Sequence, residues 1–404
     1  MNILILFKFP LHWNNDVVRK FSIIGNVDCL FLNEFMLGST KFQIISSINK
    51  LIEKNKINIV VFDTDFQYFV DYLFIEKISS FATKICITFD DLLLREVNNL
   101  TFEAADIVLT PDLLAVYKYQ EIGKRASLML LEGSRDVYYK KMASVKTIEV
   151  LNFGSIEKAD RRMYLDFLRE NGVTVTTPPA WVSQDELVDL INSSKIVINF
   201  SKTNYLDTKG TVLYKRKSRQ KFLYQFKGRI IEAGLCGTAC VSEYSPMGDI
   251  IFNSSEVLSF RSKEECLEKV NELLSDHERR ELMAFRLQTK ILSLYEDRVV
   301  MEKIRLLLEE IGGSKPILGS SVKESLPFWY VEKMYYENLY KNYLECALGN
   351  CARDSYFFYI GYRFNRNLLA SLRFIGIVSL STTKLILKKI SKFIASGVIF
   401  PKTA

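Results

Sequence analysis

Short apolar runs alternate with helix-length segments along most of this 404-residue chain, and this alternation constrains its fold more than any other feature. An apolar run of this length between helical patterns is typical of a parallel strand covered by helices on both faces. The sequence therefore predicts a first α/β domain over residues 1–140, with strands at Ile3–Phe7, Asp28–Leu32, Ile57–Phe62, Ile85–Phe89, Ile107–Thr110 and Ser127–Leu131.

A second series of the same kind predicts another α/β domain over residues 145–313, after a polar stretch at 133–144 that we interpret as the linker. Helices are expected at Asp185–Ser194 and Lys263–Leu274, with Ser183 and Ser262 as their N-caps. Two such sheets that face each other form a cleft at the carboxyl ends of their strands, where ligands of open α/β folds bind. The predicted strands are Thr147–Phe153, Val173–Thr177, Ile196–Phe200, Thr238–Ser242 and Val257–Phe260.

The composition excludes several classes of protein. A content of 48% hydrophobic and 25% charged residues indicates a globular chain, and a net charge of +7 is too small to indicate nucleic-acid binding. The seven cysteines include no Cys-x-x-Cys pair, so neither a disulfide framework nor a zinc site is predicted, and a reducing cytoplasm is expected. The apolar start of the chain is too short for a signal peptide and is interpreted as a buried strand.

Residues 314–404 are predicted to form a helical, basic extension, because residues 355–404 contain Lys and Arg but no acidic residue. On a helical wheel of 385–398, an apolar arc lies opposite Lys388, Lys389 and Lys392. Such a helix fits the anionic inner face of a cytoplasmic membrane, but it also fits a helix docked on the protein. The apolar run at Phe374–Thr383 is too short to span a bilayer, so peripheral attachment is the membrane alternative.

The segment from Lys227 to Glu243 carries the sharpest local pattern. Gly228 lies in a break before a predicted helix, where a residue without a side chain lets a phosphate approach backbone amides, and Arg229 adds a permanent cation. Glu232 follows about one turn later, where a carboxylate can accept hydrogen bonds from two ribose hydroxyls. Gly237 is expected to end the helix. Together these residues predict a cradle for a nucleoside diphosphate.

The same segment carries a family resemblance. Gly-Arg-Ile-Ile-Glu-Ala-Gly-Leu-Cys-Gly-Thr at 228–238, followed by Val-Ser-Glu-Tyr-Ser-Pro at 241–246, resembles the donor-binding domain of bacterial GT-B glycosyltransferases. The resemblance is strongest to the group 1 branch related to the spore-maturation protein CgeB. It implies two Rossmann-like domains that face a cleft, with the nucleotide sugar bound by the second domain and the acceptor by the first.

The resemblance also implies donor contacts outside this segment. They are expected from the loop after the first strand of the second domain and from a strand end, at Gly154, Ser155, Arg161, Arg162, Asn199 and Ser201. A cation in the loop would stabilise the leaving diphosphate, although a solvated first helical turn is the alternative for Arg161 and Arg162. Retaining members of the family often carry a pair of glutamates separated by seven residues, with Glu232 at the place of the second. The place of the first is taken by Tyr224 in this chain, so the stereochemical outcome stays open.

Candidates for proton transfer from the acceptor lie in the first domain. His12 follows the first strand, and Asp90 and Asp91 follow the fourth, so each is placed where it could act as a base facing the cleft. Asp63-Thr-Asp65 has the spacing of a metal motif but lies in the acceptor half. We therefore expect neither a metal nor another cofactor to be required.

These features favour a glycosyltransferase that moves sugar from a nucleotide sugar to a lipid-linked or surface-polysaccharide acceptor. Two alternatives remain open. A nucleotide-sugar epimerase or hydrolase of the same architecture would need no second sugar substrate, and a non-catalytic nucleotide-sugar-binding protein would fit the missing first glutamate.

Overall fold

The structure is a computed structural model that describes residues 1–7, 14–32, 41–63, 75, 77–88, 105–121, 123–141, 144–157, 160–179, 182–204 and 222–312. The candidates His12, Asp90 and Asp91, and the predicted extension 314–404 with its amphipathic segment 385–398, lie outside these described residues. Within the described ranges, no helix combines the length and the apolar character needed to cross a membrane.

The first sheet has six parallel strands in the order β2-β1-β3-β4-β5-β6. Its inner strands are buried because helices cover both faces; for example, Ile3, Leu4 and Leu6 are completely inaccessible to solvent. This arrangement confirms the predicted series of parallel strands. The strands are β1 (Asn2–Phe7), β2 (Asn26–Phe31), β3 (Ile59–Asp63), β4 (Thr83–Ile87), β5 (Ile107–Thr110) and β6 (Arg125–Leu128), and the described helices are α1 (Asn14–Ser22), α2 (Lys41–Asn55) and α3 (Leu113–Glu121).

The second sheet is also parallel and has the strand order β13-β12-β9-β7-β8. A small antiparallel pair, β10 with β11, lies beside it and was not predicted from the sequence. The strands are β7 (Ile148–Leu151), β8 (Val175–Thr176), β9 (Ser194–Asn199), β10 (Lys202–Asn204), β11 (Phe222–Tyr224), β12 (Ala239–Glu243) and β13 (Leu258–Phe260). The helices are α4 (Arg161–Glu170), α5 (Gln184–Asn192), α6 (Arg229–Leu235), α7 (Pro246–Ile251), α8 (Lys263–Ser275), α9 (His277–Leu294) and α10 (Asp297–Gly312).

The predicted N-caps of α5 and α8 and the predicted stop after α6 are confirmed, whereas α5 ends at Asn192 and Ser194, predicted as its last residue, begins β9. The hydroxyl of Ser183 accepts a hydrogen bond from the Glu186 amide at 3.2 Å and caps α5, and Ser262 does the same for α8 through Glu265 at 3.2 Å. Gly237, just after α6, has a φ of +64°, in the left-handed region where glycine carries no steric penalty. These local signals fix where α6 ends and β12 begins.

The chain crosses between the two sheets twice, and the two crossings touch. The last helix, α10, was grouped by sequence with residues 145–313, but Val300, Met301 and Ile304 pack in the core beside the first sheet. At its start, the Asp297 amide donates to the carbonyl of Gly133 at 3.0 Å. A β-carbon at Gly133 would lie 2.8 Å from the Tyr295 carbonyl oxygen, so the close approach of the crossings requires glycine.

A buried ion pair fastens these crossings to α1. Lys20 contacts the carboxylate of Asp297, and the two residues are only 1% and 4% exposed. Burial raises the pKa of Asp297, whereas the neighbouring Lys20 lowers it. The pair therefore joins the first sheet's helical layer to the junction between the sheets.

Candidate donor site

The start of α6 meets the loop that follows β7. Gly154, in that loop, has a φ of +100°, and a β-carbon there would overlap the guanidinium of Arg229, lying 3.0 Å from its Nε. The Arg229 guanidinium carbon also lies 5.8 Å from the centre of the Phe153 ring, within the range of a cation–π contact. Arg229 thus lies against the loop at Gly154, and glycine is needed there both for its backbone conformation and for this contact.

Glu232 lies one turn into α6 and is only 8% exposed. Burial raises the pKa of its carboxyl to about 7, and the negative charge of Glu132 adds to the rise. A hydrogen bond with Tyr138 and the charge of Arg229 act in the opposite direction. Glu232 therefore exchanges a proton close to neutral pH, as is common for carboxyl groups in functional sites.

The raised pKa of Glu232 predicts how stability depends on pH. A carboxyl with a raised pKa in the folded state stabilises the fold at low pH, and this contribution is lost as the pH rises through about 7. Glu232→Gln removes the charge, so at pH 8 we expect its free energy of unfolding to exceed that of the wild type by about 1–3 kcal/mol. Urea unfolding at pH 5 and pH 8 measures this, with the exposed Glu268→Gln on α8 as the control. If Glu232→Gln increases the free energy of unfolding by the same amount at both pH values, the pKa of Glu232 is not raised in the folded state.

Glu132 was not predicted as a site residue, yet it belongs to this cluster. A β-carbon at Gly228 would lie 2.5 Å from Oε1 of Glu132, so the carboxylate packs directly on the backbone of Gly228. Burial raises the pKa of Glu132, while Lys20 and Arg229 lower it. The sequence offered one weak signal, an acidic residue between apolar Leu130-Leu131 and Gly133, just before the predicted linker at 133–144.

The predicted residues at the end of β9 are buried in bonds to β12. Asn199 donates from Nδ2 to the hydroxyl of Ser242 at 2.9 Å, and the Ser201 hydroxyl donates to the carbonyl of Tyr244. Glu243 accepts from the backbone amide of Ser201 at 3.1 Å. In this structure Asn199 and Ser201 therefore hold two neighbouring strand ends together, and their contact with a donor stays a prediction.

The cations predicted near the loop have different surroundings. Arg161 is only 3% exposed and donates to the Ser155 carbonyl at 2.8 Å and to the Lys202 carbonyl at 3.3 Å, so it fixes the loop against β10. Arg162 is exposed and pairs with Glu157 on the same surface. Lys227 donates to the side chain of Gln225. Of the predicted site residues, the structure brings Gly154, Gly228, Arg229 and Glu232 into one cluster.

Residues 157–305 match the family described as glycosyl transferase-like. The match begins in the loop after β7 and ends inside α10, so it includes α6 with Arg229 and Glu232. Comparison of the sequence with curated proteins found no match.

Solved structures resemble the whole described fold. HepE of Anabaena, crystallised with UDP and glucose, superposes with a TM-score of 0.52 at 12% identity, covering 77% of this chain and 100% of HepE. Sucrose-phosphate synthase of Thermosynechococcus elongatus gives 0.51 at 8% identity, covering 77% and 99%. A glycosyltransferase of Rickettsia africae gives 0.52 at 10% identity, covering 78% and 99%.

This chain has the GT-B fold. The predicted two-domain α/β fold class is thereby confirmed for the described residues, and the glycosyl transferase-like character is confirmed for residues 157–305. The narrower resemblance to the CgeB-related branch stays a prediction, as do the domain boundaries and the roles of the individual site residues.

Proposed function

We propose that this GT-B protein transfers a sugar from a nucleotide sugar, with UDP as the nucleotide, to a glycan or lipid-linked acceptor. The observation that carries the proposal is the position of Arg229, which belongs to the glycosyl transferase-like segment and lies against the backbone of Gly154, just before that segment. UDP is chosen because HepE was crystallised with UDP and glucose.

The chemistry required of the cluster is modest. In the transfer, the bond between the anomeric carbon and the diphosphate oxygen breaks, its electron pair stays on the diphosphate, and the acceptor oxygen bonds to the anomeric carbon. Arg229 would stabilise the charge that grows on the leaving diphosphate, and Gly154 and Gly228 would allow it to approach the backbone. No metal is required in this scheme, because a fixed guanidinium supplies the positive charge.

Glu232 is proposed to accept hydrogen bonds from the ribose hydroxyls, for which its ionised form is the better acceptor. The acceptor hydroxyl would lose its proton to a base from the first domain, and His12, Asp90 and Asp91 remain the candidates. We further propose that the protein acts in the cytoplasm on cell-envelope polysaccharide, and that residues 385–398 hold it at an anionic membrane surface. The basic and apolar composition of that segment supports this location.

A screen of nucleotide sugars tests the donor assignment. We expect UDP-sugars to raise the melting temperature more than GDP-, dTDP- or CMP-sugars, because a ligand that binds only the folded state stabilises it.

Glu232→Ala should weaken UDP-sugar binding in calorimetry by about 1–3 kcal/mol through the loss of charged hydrogen bonds. Glu268→Ala, on the exposed face of α8, is the matched control. If Glu232→Ala binds the UDP-sugar as tightly as the wild type does, Glu232 does not bind the ribose hydroxyls.

Product analysis separates transfer from its alternatives. Incubation with a UDP-sugar alone should release no UDP, and release should begin when a glycan or lipid-linked acceptor is added. UDP release or an isomerised sugar without acceptor would show a hydrolase or an epimerase. Binding without turnover across a wide acceptor panel would show a binding protein.

A further inference from the structure

Glu132 occupies the space next to Gly228, where the proposed function places the donor diphosphate. Its carboxyl group lies over the backbone of Gly228, so close that any side chain at position 228 would overlap it. The negative charges of Glu232 and Glu132 both act to raise the pKa of Arg229, which burial lowers. The two carboxylates therefore share this one cation. A carboxylate and a phosphate both carry anionic oxygens, so they accept hydrogen bonds from the same donors. An anion supplied by the protein therefore already occupies this position.

We propose that Glu132 is a resident anion of the donor site, which the diphosphate of the nucleotide sugar displaces from Gly228 and Arg229 when it binds. The inference rests on the proposed function, because it assigns the displaced position to the donor diphosphate. It adds a regulatory element that lies in the connection between the two sheets and outside the glycosyl transferase-like segment at 157–305.

The surrounding charges make simultaneous occupancy unfavourable. Acidic groups that act on the cluster come from α1, the connection, α6 and the start of α10, namely Asp16, Glu132, Glu232 and Asp297. The basic groups are Arg19, Lys20 and Arg229, and of these Arg19 pairs with Asp16 and Lys20 with Asp297. A diphosphate would bring further negative charge to a cluster in which Arg229 already has two acidic neighbours. Binding therefore requires Glu132 to move away or to take up a proton.

Displacement of Glu132 would act on the junction between the sheets. The carbonyl of the next residue, Gly133, accepts a hydrogen bond from the Asp297 amide at 3.0 Å, and the Asp297 carboxylate pairs with Lys20 of α1. Lys20 is also the cation that most lowers the pKa of Glu132, so the charge of Glu132 is coupled to this ion pair. Donor binding in the second domain is thereby linked to α1 of the first.

Glu132→Gln tests the inference, because it keeps the shape of the side chain and removes its charge. Asp136→Asn is the matched control, since Asp136 lies in the same connection, is exposed and pairs only at 3.6 Å with Arg298. Calorimetric titrations of each full-length protein would use UDP and, as a probe without phosphate, uridine. We expect Glu132→Gln to bind UDP on the order of tenfold more tightly, the factor that corresponds to about 1.4 kcal/mol. Uridine affinity, and both affinities of Asp136→Asn, should stay at the wild-type values.

Three results would overturn the inference. In the first, the wild type binds UDP and Glu132→Gln binds it no more tightly. The proposed function then stands, and only the role of Glu132 as a resident anion is wrong. Another is a parallel rise in uridine affinity, which would show a general structural effect. The third is a folded Glu132→Gln protein that, like the wild type, binds no nucleoside diphosphate, which would remove the proposed function as well. Glu132→Ala carries the same expectation and replaces Glu132→Gln if that variant does not fold.

Discussion

Lys20→Met is expected to lower the free energy of unfolding by about 3–5 kcal/mol, because it strands a buried carboxylate. Lys20 and Asp297 are 1% and 4% exposed, so water cannot replace the lost partner. Lys20 also offsets the charge of Glu132, which loses a cation in the same variant. The effect should be seen in urea unfolding followed by circular dichroism. Lys50→Met, at an exposed position of α2, is the control and should change the stability by less than about 0.5 kcal/mol.

The pH dependence of Lys20→Met identifies the stranded group. Burial already raises the pKa of Asp297, and removal of Lys20 raises it further. A carboxyl with a raised pKa favours the folded state at low pH and loses that contribution as the pH increases through its pKa. The destabilisation should therefore be larger at pH 8 than at pH 5, and Asp297→Asn in the same chain should recover part of it. Equal losses in Lys20→Met and Lys50→Met would show that the pair does not stabilise the fold.

The parts of the fold that depend on local pattern were predictable from the sequence. The strands β3 and β5 are nearly continuous apolar runs, and their burial follows from the helices on both faces. Ser183, Ser262 and Gly237 act within a few residues of their own positions, so the sequence contains all the information needed to place them. The pair β10–β11 was missed because strands of three residues carry too little pattern to recognise.

The candidate site was predictable only in part, for a related reason. Gly154 and Arg229 were both expected to contact the donor, Gly154 from the family resemblance and Arg229 from the pattern at 227–243, and the structure joins them. Lys20 and Asp297 are separated by 277 residues and share no local signal. Glu132 lies just before the predicted linker and was not expected in the site, because its contact with Gly228 exists only once the connection has packed against α6. Long-range electrostatic contacts of this kind depend on the completed fold.

Arg229→Met is expected to reduce turnover by about 10²–10³-fold while it weakens nucleotide-sugar binding much less. The Arg229 guanidinium lies against Gly154 and near the Phe153 ring, so it is fixed before the donor binds and can act on the charge that grows as the diphosphate leaves. An interaction that is stronger in the transition state than in the bound substrate changes kcat more than the dissociation constant.

The Arg229 measurement compares kcat from UDP release with Kd for the UDP-sugar from calorimetry. Arg162→Met is the matched control, because Arg162 lies near the same loop but is exposed and paired with Glu157. Arg229→Lys keeps the charge and loses the planar group that lies on the loop backbone, so its kcat should fall between those of the wild type and Arg229→Met. If Arg229→Met changes only KM, the guanidinium contacts the phosphate without stabilising its departure. Equal kcat losses in Arg162→Met and Arg229→Met would instead remove the distinction between the fixed cation and the surface pair, and with it the catalytic assignment of Arg229.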